Sequence, residues 1–277
     1  MIFRVREKGR LQQPLQERQE QEAVMETEEL LKKRFRELAE KCYRNNQYTF
    51  TGFLGLSEAS CFYELERELS YVPYTLFGGS DLCERAMLRF GSQEQLGYTE
   101  EFPISCLKIS PLSQKFGEEL GHRDFLGALM NLGIERSTLG DILVSGKEAY
   151  LFCHDNMAEF IMENLTRIRH TAVMCTRAAE LPMLKMEDKT EEKIQASSLR
   201  IDGVTARVYR LSRNEVTELF RQKKIFLNGR LCENNSQLLK EGDVISVRGY
   251  GRYQLSWNMG VSKKGKLNLT VILYGRR

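Results

Sequence analysis

The sequence predicts an α+β protein built as three successive units, and three observations carry that expectation. Residues 30–100 pair a long amphipathic helix pattern with short β-rich runs, a small α+β unit. Residues 101–181 follow a strand, helix, strand, strand, helix, strand order. Residues 199–277 open on two short helices and close on strands. Residues 1–29 read as a polar N-terminal extension and 182–198 as a linker that passes through Pro182 and mixed charge. A chain of 277 residues is long enough for two or three cores.

In the first unit, Leu31, Phe35, Leu38 and Cys42 recur at i, i+4, i+7 and i+11, the stripe of a helix with one buried face. Upstream, through about Glu22, the segment is polar all round and is expected to be frayed. Residues 48–54 are β-rich, and Ser57 is the expected cap of a helix carrying Phe62, Leu65 and Leu69. Residues 74–77 and 85–90 read as strands around Gly78-Gly79-Ser80-Asp81. Those glycines lack the lysine and hydroxyl residue of a phosphate loop, which favours a plain turn.

In the second unit, strands are expected at 104–109, 141–144, 149–153 and 172–175, and helices at 124–132 and 157–168. That βαββαβ series gives a ferredoxin-like sheet with both helices on one face, the plan of RRM modules. Such modules stack bases on exposed strand aromatics. Here the candidate strands offer only Tyr150 and Phe152, so base stacking is not expected.

The third unit carries the densest signal. Ile201, Val204, Val208 and Leu211 follow helical spacing, which puts Arg200, Gly203, Arg207 and Arg210 together on another face. Ser212-Arg213-Asn214-Glu215 is a capping box that starts a second helix. Val216, Leu219 and Phe220 form its buried stripe, opposite Arg213, Thr217, Arg221 and Lys224. Residues 225–227 then lead into Asn228-Gly229, a pair suited to the positive φ angles of a tight hairpin, and residues 244–247 follow the turn Glu241-Gly242-Asp243. Further strands are expected near 255–257 and 267–274, with Lys263, Lys264 and Lys266 at the turn between them.

The segments LSRNEVTELF, KKIFLNGR and LLKEGDVISVRG, in this helix, helix, hairpin order, resemble the S4 RNA-binding domain, the αL motif of ribosomal proteins and RNA-modifying enzymes. The resemblance implies that structured RNA is met by the second helix and the hairpin. It nominates Arg200, Arg207, Arg210, Ser212, Arg213, Arg221, Lys223, Lys224, Asn228, Gly229, Arg230, Arg248 and Arg252. Together with GHRDFLGALMNLGIERSTLGDI and GGSDLCERAMLRF, the order of units resembles the YlmH group of bacterial S4-domain proteins. That likeness implies a cytoplasmic RNA-binding protein associated with the large ribosomal subunit, contacting rRNA and peptidyl-tRNA and acting in translation or on stalled subunits. Ser80 departs from the group, where an aromatic residue is expected.

Charge agrees with that expectation. From residue 200 onward there are 16 Lys plus Arg against 6 Asp plus Glu, a local excess of +10 within a chain whose net charge is only +3. Such an excess attracts phosphate backbone and predicts steep salt dependence. The acidic remainder suits a protein partner, or a second RNA contact through Arg85, Arg89, Arg123 and Arg136. Seven scattered cysteines without a Cys-x-x-Cys spacing, and the absence of a long apolar run, exclude a metal cluster and a membrane span and suit a reducing cytosol.

No catalytic constellation, metal site or cofactor is expected. His122-Arg123-Asp124 starts like a kinase catalytic loop, but Leu129 stands where that loop needs asparagine. A structural role at a helix start is favoured for it. Arg200-Ile201-Asp202 is like the catalytic segment of pseudouridine synthases, yet it sits inside the helical unit itself. Two alternatives to a non-catalytic RNA binder are an RNA-modifying enzyme centred on residues 46–178 and an interaction scaffold for division proteins.

Overall fold

The structure, a computed structural model, describes residues 15–81, 83–113, 115, 117–178, 189–262 and 265–274. The first fourteen residues of the expected extension, residues 182–188 of the expected linker and Lys263 and Lys264 lie outside them. Within them the chain is mixed α+β, with three antiparallel sheets.

The first helix, α1 (Leu15–Asn45), buries Phe35, Leu38, Ala39 and Cys42, the stripe expected from sequence. It begins well before Glu22, so the polar segment expected to be frayed is helical; propagation from an anchored turn needs no apolar stripe of its own. Strand β1 (Thr49–Leu54) follows, then α2 (Leu56–Leu65), β2 (Tyr74–Phe77), β3 (Ala86–Phe90) and the single turn α3 (Gln93–Leu96). The sheet order is β1-β3-β2. Gly55, not Ser57, caps α2, and the Gly55 N–H donates to Glu58 Oε2 at 2.5 Å. The helix stops at Leu65, while Leu69 stays buried beyond its end.

Next come β4 (Ile104–Pro111), α4 (His122–Asn131), a 3-10 turn (Arg136–Thr138), β5 (Leu139–Ser145), β6 (Glu148–His154), α5 (Asp155–Asn164), β7 (Arg167–Ile168) and β8 (Thr171–Arg177). Their sheet runs β5-β6-β4-β8-β7. One face packs Leu107, Ile109, Leu151 and Val173 against Phe125 and Leu129 of α4 and Ile161 of α5. The helix expected over 157–168 ends four residues early. Arg169 takes a positive φ of 51°, which turns the chain so that β7 pairs with β8.

The other face of that sheet is covered by the first unit. Phe152 of β6 is 1% exposed and clusters with Phe53 and Met87. A Cβ on Gly79, whose φ is +97°, would lie 2.3 Å from the Phe152 ring, so glycine is required by close approach as well as by backbone sign. The paired glycines therefore serve a packed turn between two units.

The third sheet begins with a correction. Residues 189–196, placed in the linker by their composition, form β9 (Lys189–Ala196), paired along its length with the last strand. Then follow α6 (Ile201–Tyr209), α7 (Arg213–Arg221), β10 (Ile225–Leu227), β11 (Arg230–Leu231), β12 (Val244–Val247), β13 (Gly251–Val261) and β14 (Leu267–Tyr274). The sheet order is β11-β10-β12-β13-β14-β9. Ile201, Val204 and Val208 of α6 and Val216, Leu219 and Phe220 of α7 pack on Ile225, Ile245, Val247, Tyr253 and Leu255. Within that core the Tyr253 and Thr205 hydroxyls hydrogen-bond at 2.8 Å, which satisfies two polar atoms that burial would otherwise penalise. Among the described residues no helix is long and apolar enough to cross a membrane.

Candidate RNA interface

Two helix starts position the basic residues of the third unit. Arg200 is the N-cap of α6; its guanidinium donates to Asp202 Oδ1 at 3.1 Å and Oδ2 at 2.7 Å. The Arg200 hydrogen bonds are the main cause that holds the Asp202 carboxyl below its usual range, and the nearby Arg213 charge adds to it. Arg210 ends α6 in the left-handed region, φ 55°, and so redirects the chain into the capping box. There Ser212 Oγ accepts from Glu215 N at 3.3 Å while Glu215 Oε2 accepts from Ser212 N at 2.7 Å. Ser212 is thus fully engaged as a cap. Arg213 follows at the first turn of α7 and is exposed.

Carboxylates hold some of these cations. Arg221 pairs with Glu218 at 2.9 Å, Lys223 with Glu233 at 3.9 Å and Arg210 with Glu192 at 3.9 Å. Each of these arginines and lysines is at least 66% exposed, so the pairs are weak and open to exchange for phosphate. Among the described residues, Arg207, Arg213 and Lys224 have no carboxylate within ion-pair distance. Arg200, Arg207 and Arg210 lie along one side of α6, a row about 15 Å long at the helical rise.

The hairpin does not join that row. Phe226 pairs with Ser246 and Ser246 with Arg252, so these three side chains share the sheet face opposite to the one that packs on α6 and α7. Ser246 Oγ bonds Glu84 Oε1 at 2.7 Å, and Leu231 N bonds Ser60 Oγ at 2.9 Å, which docks this face on the first unit. Arg230 donates to Glu66 at 2.7 Å and lies over the Tyr63 ring at 4.2 Å. Arg252 lies over the Tyr274 ring and Arg248 over Phe226, although the Arg248 N–H bonds Lys224 O at 2.9 Å and keeps those two residues adjacent. The Asn228 side chain is spent on Asp243 and Val244, and Gly229, at φ 79°, faces Tyr63. The single cationic surface expected of helices and hairpin is therefore split across two faces of one sheet. Arg230 and Gly229 belong to the junction between units, while Asn228 is held within the third unit and Arg252 stacks on its own sheet.

The four arginines expected to form a second contact do not form one surface. Arg85 donates to the carbonyls of Leu139, Phe53 and Arg136 at 3.0, 2.7 and 3.1 Å, and Arg136 to those of Leu139 and Gly140 at 2.7 and 3.2 Å. Burial first, and the neighbouring Arg85 charge second, pull Arg136 down to about 10. The Arg85 guanidinium staples the first unit to the second, with Asp141 accepting from the Arg85 N–H at 3.0 Å, while Arg136 braces the turn of its own unit. Arg89 lies between the Tyr48 and Phe102 rings, 5.0 and 4.8 Å from their centroids. Arg123 is exposed and apart from these; its neighbour Asp124 pairs with Arg169 at 2.7 Å and accepts from Gly121 N, the structural role expected of a helix start.

No group of three or more His, Cys, Asp or Glu suited to a metal ion occurs among the described residues. Burial raises the Cys83, Cys153 and Cys175 thiols to about 12 and Cys106 to about 11, which keeps them protonated and unreactive. His154 is an α5 cap, its Nδ1 accepting from Asn156 N at 3.3 Å. Sequence reasoning missed one basic residue of interest, Lys193 on β9. The alternation of Ile194 and Ala196 with polar neighbours was the signal that marks its strand.

Residues 98–180 match the family model described as "Putative RNA-binding domain in YlmH". The fold and this match define a modular α+β protein of the RNA-binding class. Over 197 residues, 70% of this chain and 75% of the relative, the sequence is 29% identical to ribosome-associated protein quality control protein P2 of Bacillus subtilis (strain 168). Both comparisons support a YlmH-type RNA-binding protein. A solved structure, cell division protein ylmH from Streptococcus pneumoniae, aligns at 18% identity with a TM-score of 0.45, over 55% of this chain and 91% of its own.

Proposed function

We propose that this protein is a non-catalytic, cytoplasmic RNA binder that docks on structured rRNA or tRNA through an S4-type unit at residues 199–277. The large ribosomal subunit is its platform, and its process is translation, in the handling of stalled subunits. The observation that carries the reading is the exposed row along α6 and the start of α7, where Arg207 and Arg213 have no carboxylate partner among the described residues, within a segment of +10 excess charge. Phosphate neutralisation accounts for affinity at such a surface, and RNA shape for selectivity. The name of the Bacillus subtilis relative supports the ribosomal setting.

In this reading the first two units orient the S4-type unit. The second has the ferredoxin-like strand order, but its aromatic Phe152 is buried by the first unit, which disfavours RRM-style stacking. RNA contact there falls to exposed residues such as Arg123.

Charge reversal at Arg213 and Lys224 tests the docking surface. The double variant should leave the ribosome pellet in co-sedimentation at physiological salt while keeping its far-UV circular dichroism. Sedimentation equal to that of the unaltered chain removes the proposal.

A further inference from the structure

The strand added ahead of α6 creates a second basic feature. Between the free edge of β9 and the C-terminal half of α6 runs an open groove of about 290 Å³. Its walls carry Lys193 of β9, Arg207 and Arg210 of α6 and Lys266 from the turn before β14, against one carboxylate, Glu192. Arg210 pairs with Glu192 loosely, at 3.9 Å. A neighbouring hollow of about 370 Å³ shares Lys193, Ile194 and Gln195 and continues to Asn268, so the depression wraps around the strand edge. Gln195 Nε2 and Asn268 Oδ1 are bonded there at 3.0 Å, an amide pair that lines the floor with further polar atoms.

We propose that this groove seats the phosphodiester backbone of RNA, extending the α6 row past the helix end onto β9 and Lys266. The inference rests on the reading of residues 199–277 as the RNA-docking unit and adds a site to it. Geometry favours it in three ways. Arg207 and Arg210 belong both to the row along α6 and to the lining of the groove, so a polyanion bound along the row meets the groove as well. Among the described residues β9 is the edge strand of its sheet, and the outward backbone N–H groups of an edge strand can donate to phosphate oxygens. Four cations facing one carboxylate leave a local surplus that an anionic backbone neutralises with release of counterions. An acidic polypeptide shares part of this chemistry, but the continuity with the helical row favours RNA.

The test uses the full chain and fluorescein-labelled bulk tRNA, titrated by fluorescence anisotropy over a range of salt. Lys193→Glu with Lys266→Glu should keep the melting temperature, weaken binding roughly tenfold at moderate salt and flatten the log affinity against log salt slope by about 2, one unit per lost phosphate contact. Lys193→Gln with Lys266→Gln should show the same change in slope with a smaller loss of affinity, and it serves if the reversed pair fails to fold. Unchanged affinity and slope in both pairs, with binding lost in Arg213→Glu/Lys224→Glu, overturns the groove alone. Indifference of tRNA binding to every one of these substitutions overturns the docking unit as well. Binding of labelled polyglutamate that depends on Lys193 and Lys266, with tRNA affinity unaltered, assigns the groove to an acidic polypeptide and also overturns the inference.

Discussion

The Arg230 guanidinium sits 2.7 Å from Glu66 Oε2 and over the Tyr63 ring, joining the β10–β11 hairpin to α2 across 164 residues of sequence. Glu66 also accepts from the Tyr74 hydroxyl, and that bond, ahead of Arg230, holds its carboxyl below the usual range. Tyr74 in turn is raised to about 12, by burial first and by Glu66 second. One carboxylate therefore links both units, and it holds Arg230, a hairpin residue that the sequence assigned to RNA.

A double-mutant cycle of Glu66→Gln and Arg230→Ala, followed by urea denaturation, should give a coupling energy of about 1 kcal/mol. Side-chain exposures of 32% and 50% leave the pair screened by water, which keeps the figure small. Because the folded-state pKa of Glu66 is depressed, the coupling is complete above the usual carboxylate range and fades as pH falls through the depressed value. Coupling that grows on acidification contradicts the assignment.

The split of cations between two sheet faces predicts unequal effects on RNA. Arg213→Ala should reduce the salt slope of tRNA binding by roughly 1, as expected for one lost phosphate contact. Arg230→Ala should leave that slope unchanged, since its guanidinium is committed to Glu66. Equal slopes for the two variants, measured side by side, restore the single surface.

Ser212→Ala removes the side-chain half of the capping box and should destabilise the protein by about 1 kcal/mol in denaturant titrations. Ser212→Asp, which keeps an acceptor at the cap, should recover most of it. Recovery by aspartate separates capping from loss of a hydroxyl that touches RNA, because the added negative charge would weaken a phosphate contact.

Gly79→Ala should cost about 3 kcal/mol, since the new Cβ meets the Phe152 ring and the backbone holds a positive φ. Phe152→Leu should relieve part of that cost in the double variant. Alone, Phe152→Leu should lower the denaturation midpoint while leaving tRNA affinity of the folded protein unaltered, the opposite of what a base-stacking aromatic requires.

Much of the architecture follows from short-range rules that a sequence expresses directly. The apolar period of Ile201, Val204 and Val208, the Ser212–Glu215 box, the Asn228-Gly229 turn and the stripe of Phe35, Leu38 and Cys42 each depend on residues within a few positions of one another. So does the accumulation of basic residues after residue 200, which needs only counting.

Tertiary structure alone decided where those charges point. Pairing of β9 with β14 joins residues more than seventy positions apart, and the charged, unremarkable composition of 189–196 carries no mark of its partner. Phe152 looks the same in sequence whether its strand face meets solvent or the Phe53 and Met87 side chains; only the docking of the first unit buries it. Arg85 and Arg230 likewise look like surface cations until a distant carbonyl and a distant carboxylate claim them. Local periodicity sets which face of an element is apolar, but the partner that covers a face is chosen by packing between units, a long-range term with no sequence period.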